Sequence, residues 1–316
     1  MHLKLKLIFL TLLLLLLGCN GRKEHAVNFY YWKSQVDIGA TEKKYFDALK
    51  AETLYLRAFD VDDEGNGAIA KGKIDAFHPA ALNATYVPVV FITNRTFVNK
   101  SEKDAELLST KVFKLIEEIC SANSIKSYSE IQIDCDWTAS TQEAYFEFLH
   151  ILKEKAKDKQ IQLSATIRLH QLSMTPPPVD RGILMMYNTG DVKQLSCQKP
   201  ILDMKDVAPY IQHLGSYPLP LSAAYPLFSW RVLFREGKFV GIMHADDDFP
   251  VLPSDSIVIR KPEMSDIMEA VRSINHQDED INSEVILFDL NTDNIKRFKS
   301  EDYEKIFNHR SDGSSI

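Results

Sequence analysis

The sequence predicts an α/β protein built as a closed (β/α)8 barrel of the TIM type. Runs rich in β-forming residues alternate with helical stretches, and eight such units fit a chain of 316 residues. A doubly wound open sheet is the alternative, but no glycine-rich phosphate loop follows the first strand. The expected strands are 28–32, 53–59, 87–92, 130–136, 162–169, 182–187, 219–226 and 285–290.

Helices are expected between several of these strands, and two connections should differ from the ideal unit. Leu108, Val112, Leu115 and Ile119 recur at helical spacing after the third strand. Three consecutive prolines at 176–178 exclude a helix after the fifth strand. Residues 235–238, Arg-Glu-Gly-Lys, lie between two apolar runs and predict a β-hairpin inserted after strand seven, within about 228–260.

The first residues of the chain predict export. Lys4 and Lys6 precede an apolar run, residues 7–17, that is too short to span a bilayer comfortably and ends at Cys19. This pattern resembles a bacterial lipoprotein signal, in which the chain is cut before the cysteine and the cysteine is lipidated. We therefore expect a signal peptide at 1–18, a tether at 19–27, one barrel domain at 28–316, and a lipid-anchored protein of the bacterial cell envelope. An uncleaved membrane anchor is the alternative.

The composition and charge of the chain limit the classes of partner and cofactor that it is expected to bind. A formal charge of −7 with no basic face argues against nucleic acid, and 45% hydrophobic residues suffice for one large core or two modest ones. No CxxC pair or histidine cluster has metal-ligand spacing, so we expect neither a metal site nor a cofactor. Cys120 and Cys135 could meet between a helix and the next strand as a disulfide, although two buried thiols are the more usual outcome.

We expect the functional site at the carboxyl ends of the strands, where loops form the active sites of β/α barrels. A bare scaffold would not need carboxylates, cations and aromatic rings at nearly every strand end, whereas a sugar site needs all three. The candidates in chain order are Trp32, Arg57, Asp60, Asn94, Asp134, Asp136, Arg168, His170, Tyr187, Asn188, Asp191, Tyr225, Trp230 and Asp289.

Two of these strand ends show a family resemblance. The segment IQIDCDWT at 131–138 places Asp134 and Asp136 on one face of strand four. It resembles the D-x-x-D-x-D-x-E signature of glycoside hydrolase family 18, the chitinase-like barrels. The segment MMYN at 185–188 on strand six is similar to the M-x-Y-D of that family. The close resemblance covers fewer than twenty residues.

The resemblance implies roles for three residues and also shows departures. In the family, the glutamate that ends strand four protonates the glycosidic oxygen, and the preceding aspartate orients the acetamido group of the substrate. By position, Asp136 would be the orienting aspartate, Asp134 its inner partner and Tyr187 the strand-six tyrosine. Thr138 replaces the glutamate, and Asn188 replaces the strand-six aspartate. Loss of this general acid alone lowers the reaction rate by roughly 10²–10⁴-fold.

Three interpretations remain open from the sequence. In the first, the barrel is a hydrolase in which Asp136 works with a carboxylate from another strand, namely Asp60, Asp191 or Asp289. In the second, it is a glycan-binding lipoprotein with aromatic platforms at Trp32, Trp137, Tyr187, Tyr225 and Trp230. In the third, it is a structural or assembly lipoprotein whose barrel mouth contacts another protein. The first two interpretations are favoured over the third. Both involve a carbohydrate ligand, and N-acetylated sugars are among the candidates.

Overall fold

The computed structural model describes residues 26–77 and 82–308 of the chain, so Cys19 and the predicted signal peptide lie outside the described residues. The strands are β1 (Ala26–Tyr31), β2 (Thr53–Asp62), β3 (Ile69–Lys71), β4 (Thr85–Ile92), β5 (Glu130–Asp134), β6 (Gln162–Arg168), β7 (Arg181–Met185), β8 (Leu221–Pro226), β9 (Trp230–Arg235), β10 (Lys238–Met243), β11 (Asp255–Arg260) and β12 (Glu284–Phe288). The helices are α1 (Ala40–Ala48), α2 (Glu102–Ala122), α3 (Gln142–Lys157), α4 (Met204–Ile211), α5 (Met264–Gln277), α6 (Thr292–Ile295) and α7 (Ser300–Asn308).

Eight parallel strands close into a barrel. Their order around the ring is β1, β12, β8, β7, β6, β5, β4 and β2, and pairing of β2 with β1 completes the circle. Each expected strand is present, which confirms the predicted (β/α)8 fold. The first strand begins at Ala26, two residues inside the segment expected to be tether.

Alternation divides the barrel strands into an inner and an outer face. On β5, Ile131 and Ile133 point outward into the large core between the barrel and its helices. Gln132 points inward, where it accepts a hydrogen bond of 2.6 Å from the Tyr30 hydroxyl of β1. The residue parity of a strand therefore determines whether a side chain reaches the barrel interior or the helical layer.

Helix α2 shows how local sequence fixes the outer layer. Ser101 caps its amino end, since the Ser101 hydroxyl accepts from the Asp104 backbone and the Asp104 carboxylate accepts from the Ser101 backbone. Val112 and Ile116, four residues apart, bury one stripe of the helix against the barrel. This confirms the helical period expected after the third strand.

Charged side chains fill the interior near the amino ends of the strands. Arg181 of β7 donates to Glu130 of β5 over 3.1 Å and also pairs with Glu284 of β12. Ser222 donates to Glu284 over 2.7 Å, and the Tyr55 hydroxyl bonds both Arg181 and Glu284. Burial raises the pKa of Glu130, whereas for Glu284 the effect of burial is outweighed by Arg181, which lowers its pKa. One guanidinium thus compensates two buried carboxylates.

The insertion after β8 is a three-stranded antiparallel sheet with the order β10, β9, β11. The expected hairpin turn is confirmed: Glu236 and Gly237 both have positive φ, the conformation that suits a tight hairpin turn. The sequence did not indicate β11, which pairs along the other edge of β9. The Phe249 ring lies over Gly241, at a distance that leaves no room for a side chain at this position.

The cysteines are free within the described residues. Cys120 and Cys135 are both buried thiols, so the disulfide considered between them is not formed. Burial raises the pKa of the Cys120 thiol to about 12 and also raises that of Cys135, which leaves both protonated and unreactive. No helix in the described ranges is long and apolar enough to cross a membrane.

Loss of the interior arginine should strongly destabilise the barrel. Arg181→Gln leaves Glu130 and Glu284 without their cation, so we expect the free energy of unfolding to fall by about 3–5 kcal/mol. The exposed Lys114–Glu118 pair on α2 offers a matched control, since Lys114→Gln should cost less than about 1 kcal/mol. Urea denaturation of the two variants measures both values, and equal losses would contradict a structural role for the network.

Candidate functional site

Arg168 is the centre of the barrel mouth. It ends β6 and lies between the two acids of β5: Arg168 Nη2 donates to Asp134 Oδ1 over 3.0 Å, and Arg168 Nε donates to Asp136. Thr166, two residues earlier on the same face, donates to Asp134 over 2.7 Å. Burial raises the pKa of Asp134 above its ordinary value, against the opposing effect of Arg168. Asp136 is 59% exposed and faces the open end of the barrel.

Tyr187 follows β7 and lies beside this cluster. Its hydroxyl donates to Met185 Sδ over 3.0 Å, and its ring contacts Phe288 with a centroid separation of 5.3 Å. Burial raises the pKa of Tyr187, against Arg168, which acts in the opposite direction. Tyr187 is therefore a neutral hydrogen-bonding group, in the same end of the barrel as the two acids.

A second ion pair extends the mouth on the β2 side. Arg57 Nε donates to Asp60 Oδ1 over 2.7 Å, and the Arg57 guanidinium lies 5.5 Å from the ring centroid of Trp32. Residues 57 and 60 would face opposite sides of a regular strand. A bulge in β2 between Arg57 and Phe59 brings both to the interior. The pairing of Arg57 with Asp60 therefore depends on this irregularity of β2.

Aromatic side chains line the other side of the mouth. Trp32 contacts Phe288 at 5.2 Å between centroids, Phe228 contacts Trp230 at 5.3 Å, and Tyr187 contacts Phe228 at 5.6 Å. Trp32, Phe228, Trp230 and Phe288 are each partly exposed. We call these four residues and Tyr187 the aromatic wall. Phe228 and Phe288 were missed from the sequence, although each lies two residues from an inward-facing neighbour.

Thr138 occupies the position where the resemblance implies a catalytic glutamate. Its hydroxyl lies 3.0 Å from Ser140 Oγ and 3.4 Å from Thr141 Oγ1 at the exposed start of the β5–α3 connection. Asn94 joins this connection: its Nδ2 lies 3.5 Å from Thr138 Oγ1, and its Oδ1 accepts from Thr141 over 2.5 Å. A hydroxyl cannot protonate a leaving group near neutral pH.

Two candidate residues belong to the outer layer and not to the mouth. Tyr225 is fully buried and donates to Asn282 over 2.8 Å, behind β8. Asp289 is buried behind β12, where Asn294 donates to it over 2.5 Å. Both lie one residue from an inward-facing position, so alternation turns them outward. The side chains of Tyr225 and Asp289 therefore do not reach the mouth, contrary to the prediction.

Trp137 is also excluded as a sugar platform. Its side chain is completely buried and stacks on Tyr145 of α3 at 6.1 Å between centroids. Its backbone carbonyl accepts from Gln171 Nε2 over 3.0 Å, and its indole nitrogen has no hydrogen-bond partner among the described residues. Trp137 therefore stabilises the contact between β5 and α3.

Three further candidates lie on exposed segments after their strands. His170 is exposed in the turn Leu169–Ser173, and its carbonyl accepts from Ser173 Oγ over 3.1 Å. Asn188 is exposed with a left-handed backbone, φ 58°. The Asp191 carboxylate accepts from the Lys193 backbone over 3.0 Å and so stabilises its own loop. Within the part of the chain that the structure describes, no side-chain hydrogen bond joins these three residues to the cluster around Arg168.

The mouth is a site of hydrogen-bonding groups and rings. In the described parts of the chain, no group of three or more histidine, cysteine or acidic side chains is arranged to hold a metal ion. The cluster offers guanidinium donors, carboxylate acceptors and partly exposed rings at one end of the barrel. That combination recognises polyhydroxylated molecules.

The fold resembles chitinase structures. The chain is similar to a chitinase from Chromobacterium violaceum, with a TM-score of 0.57 and 11% identity over 90% of this chain and 100% of that one. It is similar to the GH18 chitinase ChiB of Flavobacterium johnsoniae, with a TM-score of 0.54 and 12% identity over 90% and 94%. The spore cortex-lytic enzyme SleL of Bacillus cereus gives a TM-score of 0.56 and 14% identity over 89% and 73%.

The fold is therefore a chitinase-like β/α barrel. No protein-family model matches the sequence, and no curated protein matches it. At identities of 11–14%, the similarity shows the architecture alone.

The buried carboxyl of Asp289 should make stability depend on pH. Burial raises its pKa to about 6, whereas the unfolded chain has an ordinary value of about 3.9. Below pH 4 both states are protonated. Between pH 4 and 6 the unfolded state loses its proton first, so the folded state loses stability as pH rises, by about 2–3 kcal/mol at pH 7.

Asp289→Asn removes this titration. We expect the difference in unfolding free energy between variant and wild type to shift by about 2–3 kcal/mol in favour of the variant from pH 4 to pH 7. A hydrogen bond lost in the variant contributes equally at both pH values and cancels in this comparison. Urea denaturation at the two pH values measures the shift, and a difference that stays constant would show that Asp289 is not titrated in this range.

Proposed function

We propose that this chain is an exported, lipid-anchored envelope protein whose barrel mouth binds glycans, N-acetylated sugars among them, without hydrolysing them. The observation that carries the proposal is the position of Arg168. It pairs with both Asp134 and Asp136, while Thr138 supplies no acid at the end of β5. The polar groups at this mouth are therefore arranged to hold a ligand.

Sugar binding is supported by the pairing of rings with ion pairs. Sugars present apolar faces that stack on aromatic rings and hydroxyl groups that bond charged side chains. Trp32 and Trp230 provide partly exposed rings, and Arg57–Asp60 provides donors and acceptors beside them. The similar structures are a chitinase, a GH18 chitinase and a spore cortex-lytic enzyme, which agrees with a glycan as ligand.

The absence of turnover is supported by the state of the acids. General acid catalysis needs a carboxyl group that carries a proton near neutral pH and reaches the glycosidic oxygen. The exposed acid, Asp136, accepts a charge-assisted hydrogen bond from Arg168, so its carboxylate is already engaged. The buried acid, Asp134, is covered by Thr166 and Arg168. Neither is placed as a free proton donor to a bound sugar.

Anchoring at Cys19 would set the direction of the mouth. Ala26 begins β1 at the amino end of the barrel, opposite the mouth. Six residues separate it from Cys19, and the seven Cα–Cα steps between the two residues span at most about 25 Å. A lipid on Cys19 would hold the amino end of the barrel towards the membrane, and the mouth would face away from it. Glycans presented at a distance from the bilayer would then reach the site.

A second candidate is a hydrolase with a relocated acid. Its support is Asp60, which lies near enough to Asp134 for its charge to contribute to the raised pKa of that carboxyl. Asp60 is paired with Arg57, so it would have to exchange this partner to donate a proton. The other two acids considered for this role, Asp191 and Asp289, are engaged elsewhere.

Binding and turnover can be measured together. A soluble chain starting at residue 20 is titrated with a panel of cell-wall and host-type oligosaccharides, while product formation is followed by chromatography. We expect saturable binding and no products, and we expect Trp32→Ala and Trp230→Ala each to weaken binding by about five- to tenfold. Trp137→Phe is the matched control, because that ring lies under α3 and should leave the affinity unchanged.

The possible outcomes separate the three interpretations. Turnover that is lost in Asp60→Asn would establish the relocated-acid hydrolase. Turnover that survives in both Asp134→Asn and Asp136→Asn would exclude the cluster around Arg168 as the site. No binding and no turnover across the whole panel would favour a structural or assembly protein.

Lipid anchoring has an independent test. Expressed in a bacterial host, the full chain should label with radioactive palmitate and sediment with membranes. The substitution Cys19→Ala should abolish both, because it removes the acceptor of the acyl chains. Label retained in Cys19→Ala would contradict the assignment. Cys197→Ala, at a partly exposed thiol in the barrel domain, is the control and should leave labelling unchanged.

A further inference from the structure

An apolar cleft of about 370 Å³ lies outside the barrel mouth, beside helix α2. The β2–β3 connection forms one wall, the turn Asn94–Phe97 forms the floor, and the first three turns of α2 form the other wall. Its size falls within the range of small-molecule sites in proteins, roughly 300–1,000 Å³. The glycan site described above uses none of its side chains.

Aliphatic side chains line this cleft on both sides. Ile69 of β3 is 52% exposed and Leu107 of α2 is 54% exposed, and both contribute to its walls. Phe97 and Ala105 close the base and are buried. Two large aliphatic side chains exposed in the lining of one open cleft are notable for a solvated surface, because each would gain by burial.

Ion pairs hold the cleft open. Asp62 of β2 accepts from Arg95 Nε over 2.6 Å and from Thr93 Oγ1 over 2.7 Å, and Asp63 accepts from Lys100 Nζ over 2.7 Å. These bonds join the β2–β3 connection to the segment between β4 and α2. The two walls are thus fixed relative to each other before any ligand arrives, which lowers the entropy lost on binding.

The exposed charge at the rim of the cleft that could contact a ligand is positive. Lys111 stands on α2 one turn after Leu107 and is exposed, and no ion pair is recorded for it among the described residues. Lys100 carries a second ammonium group that Asp63 compensates. Asp104 is the one acid in the lining, and its carboxylate accepts from the Ser101 backbone and hydroxyl in the helix cap.

We propose that this cleft binds a single aliphatic chain that ends in an anionic group, with the chain between Ile69 and Leu107 and the anion at Lys111. The apolar walls select a hydrocarbon, and the exposed ammonium selects its charged end. A carboxylate and a sulfate share this chemistry. The site is separate from the glycan site and stands whether or not the mouth binds sugars.

Straight-chain carboxylates of six, eight and ten carbons, below their micelle concentrations, test the proposal by calorimetry on the soluble chain starting at residue 20. We expect one saturable site and a gain of about fourfold in affinity for each added methylene until the cleft is filled. Alkyl sulfates of the same lengths should bind alike. The absence of saturable binding for every ligand would overturn the proposal.

Two substitutions locate the site. Lys111→Glu should weaken carboxylate binding by about five- to tenfold and leave binding of the corresponding alcohol unchanged. Lys103→Glu makes the same change of charge on α2, at a residue outside the lining, and should alter affinity less than twofold. Equal effects of the two variants would overturn the proposed position of the anion. Trp230→Ala, in the aromatic wall, should leave carboxylate binding intact.

Discussion

A charge that points into a closed barrel must find its partner there, because little water reaches it, and this constraint shapes the interior at two levels. Near the amino ends of the strands, Arg181 lies between two glutamates from other strands. Near the carboxyl ends, Arg168 lies between the two aspartates of β5. The arrangement is the same at both levels, with one guanidinium shared by two carboxylates. The cluster around Arg181 is closed off and stabilises the fold, whereas the cluster around Arg168 lies at the open end of the barrel, where Asp136 is exposed.

The identity of the central cation decides what the outer cluster can do. An arginine stays protonated at any physiological pH, so it donates hydrogen bonds but releases no proton to a leaving group. Its planar fork also fixes the orientation of the acids it pairs with. Arg168 therefore converts a pair of aspartates that would suit acid–base chemistry into a fixed set of donors and acceptors. Beside the aromatic wall, this fixed set of donors and acceptors is the physical basis of the proposed glycan binding without cleavage.

The alternation of inward-facing and outward-facing residues along each strand explains which parts of this structure the sequence could predict. All eight barrel strands and the hairpin turn at Gly237 follow from periodicity and turn chemistry. The cluster around Arg168 also follows, since its members lie two residues apart on adjacent strands. Tyr225 and Asp289 were misplaced because proximity to a strand end was considered without parity. The pairing of Arg57 with Asp60, both on β2, depends on a bulge that no sequence signal marks, and β3 is too short to show a period.

Hydrogen bonds between loops extend the order of the barrel to its rim. Asp62, at the end of β2, binds Arg95 after β4, and Asn94 in the same turn accepts from Thr141 before α3. The ends of β2, β4 and β5 are thus joined by side chains beyond the strands. Since these bonds form on folding, little conformational entropy remains to be lost when a ligand binds. In the turn Asn94–Phe97, Asn94 contacts the connection that carries Thr138, and Phe97 forms part of the floor of the apolar cleft. The same hydrogen bonds therefore support both the rim of the mouth and the cleft.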